Sequence, residues 1–257
     1  MKTFFYSFQS EWLKRKRSAS SWLVIAGGFF IPSLILTERL FHVYPTYLAN
    51  TSGHFWETLY GRNWFLMGVL LLPLGAILAT SLITQMEYKN NTWKQVLTLP
   101  QPLSTVFFSK LSVILTLMIQ FFILFNIGIY LCGVLPALFY KGIPYPAEYF
   151  PGLRFLRGNV KFFIDCLPIV ALQYLLGLRF RNFLVSLGIG LGLYILSLIA
   201  LSFKYGFLVP YTYCAFNFNS QDRHVPDWVN THYWAIGYFT LFTLIAYILY
   251  MTKKEKG

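Results

Sequence analysis

The chain has 257 residues, 56% of them hydrophobic and 20% aromatic, and only 12% charged. A soluble domain carries about a quarter of its residues as charges, so this composition excludes a soluble globular fold, and with it disorder, a collagen-like repeat or a coiled coil. The net charge of +12 does not describe a nucleic-acid binder either, because such proteins gather their basic residues on one continuous wet face that so apolar a chain cannot build.

A bilayer core about 30 Å thick needs roughly 20 apolar residues in helical conformation. Residues 1–17 precede the first such run. Phe4, Phe5, Phe8 and Trp12 fall there at helical spacing, followed by the basic cluster Lys14, Arg15, Lys16 and Arg17. A secretory signal has the opposite order, so the pattern predicts an interfacial helix on the inner leaflet; a basic flank with a purely topological role is the alternative. Charge-free runs follow at 18–37, 63–86, 111–140, 182–203 and 228–252, and a sixth run, 160–178, is broken near its start by Lys161 and Asp165. They predict spans near 20–38, 63–84, 111–132, 160–178, 183–203 and 233–251. The apolar stretch 207–218 is short and carries Pro210 and Asn217, with Asn219 just beyond. It is read as part of an outer re-entrant or surface segment, 204–232, and the connection 133–159 as a long outer loop rich in Pro and Tyr. The fold class is all-α, a polytopic membrane protein of six spans in a single transmembrane domain over 1–257.

Thirteen of the 21 Lys and Arg fall in the amino terminus, the second and fourth loops and the carboxyl tail. The positive-inside rule therefore puts both termini in the cytoplasm, and the acids Glu11, Glu87 and Glu255 lie on that same side. The basic excess belongs to topology and to anionic lipid headgroups, with no nucleic-acid partner.

No Gly-x-x-x-x-Gly-Lys-Ser/Thr loop occurs, so any use of ATP has to come from another chain. His-Glu-x-x-His and Cys-x-x-Cys are also missing from the sequence. Cys132, Cys166 and Cys214 are scattered as small hydrophobes, although Cys132 and Cys214 both fall near the outer surface, which allows a disulfide. His42, His54, His224 and His232 sit in outer loops beside acids but lack ligand spacing, so no metal is expected. Gly188 and Gly192 form a small-xxx-small pair suited to close helix packing. Asp165 is the one acid inside a span and so a functional candidate by default, against which Lys161, one turn earlier, offers a structural partner. Gln120, Asn126 and Gln173 are intramembrane polar residues that suit cross-helix hydrogen bonds better than ligands.

The second loop reads QMEYKNNTWKQVLTLPQPLST over 85–105. Trp93, Val96 and Leu97 make an i, i+3, i+4 apolar stripe, Asn91 or Thr92 is able to cap it, and Pro100 ends it. This predicts a short amphipathic helix outside the membrane. Its apolar face suits a groove on a partner or the lipid headgroups, and periodicity favours neither.

An acid at the inner end of the second span, the stretch NNTWKQVLTLP, a polar turn and Lys110 opening the third span together resemble the membrane subunit of type 2 ATP-binding cassette transporters. The resemblance is nearest to the six-span permeases grouped with lantibiotic and bacitracin immunity exporters. It implies that residues 86–109 form a cytoplasmic coupling segment in which Glu87, Asn90, Asn91, Thr92, Trp93, Lys94, Gln95, Leu97 and Pro100 dock on an ATP-hydrolysing subunit. It further implies a smaller second contact from Arg179 and Arg181, an elbow helix at Phe4–Trp12, and a second permease copy completing the pathway. ATP and Mg would be held by the partner, with no cofactor in this chain. The implied activity is efflux of a peptide, lipid or other amphipathic compound. A membrane-embedded enzyme and a non-transporting scaffold or sensor are the alternatives.

Overall fold

The computed structural model describes residues 2–15, 18–89, 101–218 and 229–252. Among these residues ten α-helices follow one another: α1 (Lys2–Arg15), α2 (Ala19–Phe41), α3 (Val43–Asn50), α4 (Phe55–Leu66), α5 (Leu72–Lys89), α6 (Leu103–Phe139), α7 (Gly152–Arg179), α8 (Phe183–Ala200), α9 (Tyr213–Phe216) and α10 (Thr231–Met251). Among the described residues there is no strand, and six rods are long and apolar enough to cross a bilayer: α2, the run Phe55–Met86 that joins α4 to α5, α6, α7, α8 and α10. Successive rods alternate in direction, so their ends fall on two faces. The face that carries α1 is called here the near face, and the other the far face.

α7 is the central rod. Its apolar window is 61% buried against 22% for α8 and 17% for α10, so α8 and α10 present most of their apolar surface outward. α10 packs most extensively on α7, and α2 on α6. The α2–α6 crossing is tight because Gly128 faces Pro32, whose ring carbons would lie 2.9 Å from any added Cβ. α4 and α5 are joined by a π turn at Met67–Leu71. A π turn loosens the backbone ladder, and the Tyr194 hydroxyl of α8 donates to the Val69 carbonyl there. The turn sits beside an aromatic layer in which Trp64 lies parallel to Phe162 at 4.1 Å and edge-on to Phe125 at 4.9 Å.

α6 is much longer than the span predicted at 111–132. It starts directly after Pro102, which has no N–H to leave unpaired, and continues through Pro136 to Phe139. The helix runs straight past Lys110, which is buried within the bundle. The long outer loop predicted at 133–159 is accordingly reduced to residues 140–151, since α6 and α7 take up both of its ends. What remains is strapped to the far face. Buried Asn50 accepts from Arg39 Nη2 (2.6 Å) and donates to the Pro144 carbonyl (2.7 Å), and its own carbonyl accepts from the Ala147 N–H (3.0 Å). Trp56 donates its backbone N–H to a Glu148 carboxylate oxygen (3.1 Å) and its indole N–H to the Glu148 carbonyl (2.9 Å).

The stretch 206–216 forms two 3-10 turns, Gly206–Leu208 and Pro210–Thr212, followed by α9. Nothing in it is long enough to cross a bilayer. Phe207, Tyr211, Tyr213 and Cys214 are nevertheless buried, so this segment fills the bundle between α7, α8 and the π turn.

Candidate functional site

On the near face the chain leaves the bundle from α5 and re-enters it at α6. Asn90, Asn91, Thr92, Trp93, Lys94, Gln95, Leu97 and Pro100, together with the Glu87 side chain, lie outside the described residues. The structure does describe what holds their base. Gln85, buried at the end of α5, donates Nε2 to the carbonyls of Gly177 (3.0 Å) and Phe180 (2.6 Å). These belong to the last turn of α7, where carbonyls have no intrahelical N–H partner. The adjoining turn carries Arg179 and Arg181, both exposed, and α8 then starts with the Asn182 side chain accepting from the Leu184 N–H (2.9 Å). The near-face end of the second span and the turn between the fourth and fifth spans are thus neighbours.

α1 lies against the near part of α6, and its four aromatics meet two surroundings. Phe4 and Phe5 are exposed, whereas Phe8 and Trp12 stack on each other (6.0 Å between ring centres) and pack on the core. The buried stripe is polar, formed by Ser7, Glu11 and Arg15 at i, i+4 and i+8. Glu11 pairs with Lys14 on its own helix and with buried Lys110 of α6 at 3.6 Å. The Arg15 guanidinium lies 3.6 Å over the Trp12 ring and places both terminal nitrogens 3.4 Å from Gln120 Oε1. Desolvation by burial pushes the Arg15 guanidinium below its ordinary pKa. A helix surrounded by water would turn this face outward. Here α6 supplies polar partners, so the polar stripe turns inward.

Asp165 is fully buried in the far half of α7. Lys161 is not its ion-pair partner. One carboxylate oxygen accepts from Asn217 Nδ2 (2.7 Å), just beyond α9, and the other meets Nδ1 of His232 in the first turn of α10 (2.7 Å). A lysine one turn away has to reach water along its own stem, while the residues at 217 and 232 are packed directly onto the carboxylate. Among the described residues no hydroxyl or thiol hydrogen-bonds to the His232 imidazole. The three side chains tie the fourth span, the 206–217 segment and the sixth span together.

The three cysteines are free and buried, which overturns the Cys132–Cys214 disulfide. Cys214 instead has its thiol against that of Cys166. Among the described residues no group of His, Cys, Asp and Glu could hold a metal ion.

The other polar candidates differ in their surroundings. Gln173 bridges three helices, donating Nε2 to Ser81 Oγ (2.6 Å) of α5 and to the Ser186 carbonyl (2.9 Å) of α8. Asn126 donates to the Phe122 carbonyl of its own helix (2.6 Å). The glycine reading also changes: a Cβ at Gly188 or Gly192 would meet nothing within 4 Å, whereas one at Gly190 would lie 2.2 Å from Gln173 Oε1. Gly190 is the packed position. An apolar cleft of about 350 Å³ opens between α2, α5 and α6, with Gly27, Leu71, Gly75, Ala79 and Met118 in its walls.

Sequence reasoning passed over Gln85, Asn217 and the pairing role of His232. Gln85 is the last polar residue before Glu87, and that position is the signal the sequence offers for its role.

Residues 7–197, well over half of the chain, match the family model described as "ABC-2 family transporter protein". The match runs from α1 into α8. No curated protein and no solved structure matches the chain.

Proposed function

This chain belongs to the ABC-2 family of transporter proteins as a multi-pass membrane component, and from that premise we propose that it is the export permease of a complex powered by a separate ATP-binding subunit. The near face is the cytoplasmic one in this reading, because thirteen of the 21 basic residues fall on it or in its loops and tails. Residues 86–109, with Trp93 and Leu97 as apolar anchors, dock on the ATP-binding subunit, and Arg179 and Arg181 make a second, smaller contact. ATP and Mg are bound by that partner. A second permease copy completes the pathway, since one bundle of six spans cannot enclose a pore while α8 and α10 face outward. The exposed aromatics of α1 rest in the lipid interface.

The observation that carries this reading is the hydrogen bonding of Gln85 to Gly177 and Phe180. It supports a shared docking surface, because the base of the proposed coupling segment and the Arg179–Arg181 turn lie side by side. The apolar cleft between α2, α5 and α6 favours a hydrophobic or amphipathic cargo, such as a peptide antibiotic or a lipid. The Asp165–His232 pair is the observation that favours the second reading, a membrane-embedded enzyme.

Cells carrying this chain and its ATP-binding partner are expected to tolerate severalfold more bacitracin or nisin than cells with either chain alone. Substituting the P-loop lysine of the partner should abolish the protection. Unchanged sensitivity to both compounds removes the immunity assignment. Loss of a hydrolytic activity on Asp165→Asn, with ATP-dependent export intact, would favour the enzyme.

A further inference from the structure

The near-face thirds of α5, α7 and α8 are joined in three successive layers. In the first, Gln173 of α7 bridges Ser81 of α5 and Ser186 of α8. In the second, a Cβ at Gly177 would lie 2.1 Å from Thr84 Oγ1, so α5 and α7 approach at a separation that only glycine permits. The third is Gln85, whose amide has two N–H donors and meets two carbonyls, of Gly177 at 3.0 Å and Phe180 at 2.6 Å. Both carbonyls lie where α7 ends and the helix itself supplies no N–H partner, that of Gly177 buried and that of Phe180 half-buried. Above these layers the second span is broken by the π turn at Met67–Leu71, so the tight layers are confined to its near half.

We propose that Gln85 is a positioning residue that makes the base of the coupling segment and the α7–α8 turn a single lever, so that a push from the ATP-binding subunit on either is delivered to both. The proposal rests on the permease reading above. Glutamate is the informative replacement. It has the size of glutamine, but its ionised form offers no donor and sets negative charge against two carbonyls. Stability and coupling then part company. A merely structural Gln85 would lower the unfolding midpoint without letting the two elements move independently.

The test uses the complete complex in lipid nanodiscs, with spin labels on Met86→Cys and Leu184→Cys. The native cysteines are buried, and Leu184 is exposed in the first turn of α8. In the otherwise wild-type complex the distance distribution between the labels is expected to stay narrow and identical in the nucleotide-free and the ATP–vanadate-trapped states. With Gln85→Glu added, it should shift between the two states by more than the width of the wild-type distribution, while the ATP-binding subunit still co-purifies. A wild-type distance that changes with nucleotide overturns the lever while leaving the permease reading intact. So does a Gln85→Glu complex as narrow and invariant as the wild type. If Gln85→Glu does not insert, the wild-type arm alone decides. Failure of any ATP-binding subunit to co-purify with the wild type overturns both the lever and the reading beneath it.

Discussion

Replacing His232 by alanine removes one of the two groups hydrogen-bonded to a carboxylate that has no exposure to solvent. A hydrogen bond to a charged group contributes about 1.5–3 kcal/mol, and removing one partner from a buried pair costs about 3–5 kcal/mol. The His232 side chain is 26% exposed, so the loss expected for His232→Ala is about 2–3 kcal/mol, below the fully buried figure. In an Asp165→Asn background the charge that these donors satisfy is gone, and the same replacement should cost only about 0.6 kcal/mol, the average for hydrogen bonds between membrane helices. The coupling energy between the two positions is then about 1.4–2.4 kcal/mol. Unfolding of the four proteins in mixed micelles of rising SDS fraction, followed by tryptophan fluorescence, measures it. A coupling at or below about 0.6 kcal/mol would refute the assignment of Asp165 and His232 as a charge-assisted pair. A Lys161→Ala variant as unstable as His232→Ala would refute it equally, by returning the carboxylate to the partner suggested by helical spacing.

Gly190→Ala should destabilise the bundle by about 1–3 kcal/mol through overpacking against Gln173, whereas Gly188→Ala, which meets nothing, should be neutral or stabilise by up to about 1 kcal/mol; the same SDS titration separates them, and equal effects would contradict the assigned face of α8. Copper-phenanthroline oxidation in membranes should produce no Cys132–Cys214 cross-link, judged by peptide mapping under non-reducing conditions, because the Cys214 thiol lies against Cys166 instead. Arg15→Ala should loosen α1 by about 1–2 kcal/mol, since it removes the contact with Gln120 and the stacking on Trp12. Faster tryptic cleavage after Lys14 reads that out, and an unchanged rate would mean that the polar stripe does not hold the helix. Tyr194→Phe removes the hydroxyl hydrogen bond to the Val69 carbonyl of the π turn, and faster amide exchange at 67–71 is expected, with unchanged exchange as the contrary result.

The number of spans and the all-α class were legible because hydrocarbon thickness imposes a length that a run of uncharged residues has to meet. Which face of each helix turns inward was not. In a soluble protein apolar periodicity marks the core, but a span is apolar on all sides, so spacing picks out Gly188 and Gly192, whereas within this chain Gly190 is the one packed on a neighbouring helix. For α1 the usual inference inverts, with Ser7, Glu11 and Arg15 buried and Phe4 and Phe5 exposed. Long-range partners were illegible for a different reason. Asp165 finds its donors 52 and 67 residues downstream, in a segment that departs from helical spacing and in the next span, while local spacing pointed to Lys161. Helix ends were not legible from charge, because α6 begins at Leu103, well before Lys110, whose ammonium group is buried against Glu11 of another helix.

The most direct test of the permease account is purification of the tagged chain from its own membrane in mild detergent, followed by measurement of ATP hydrolysis in the eluate. The account predicts that the wild type carries an ATP-binding chain and a vanadate-sensitive activity, and that a Trp93→Ala, Leu97→Ala variant inserts at the wild-type level but loses both. A wild-type eluate without ATP hydrolysis, or a variant that keeps the ATP-binding chain in full, would contradict it.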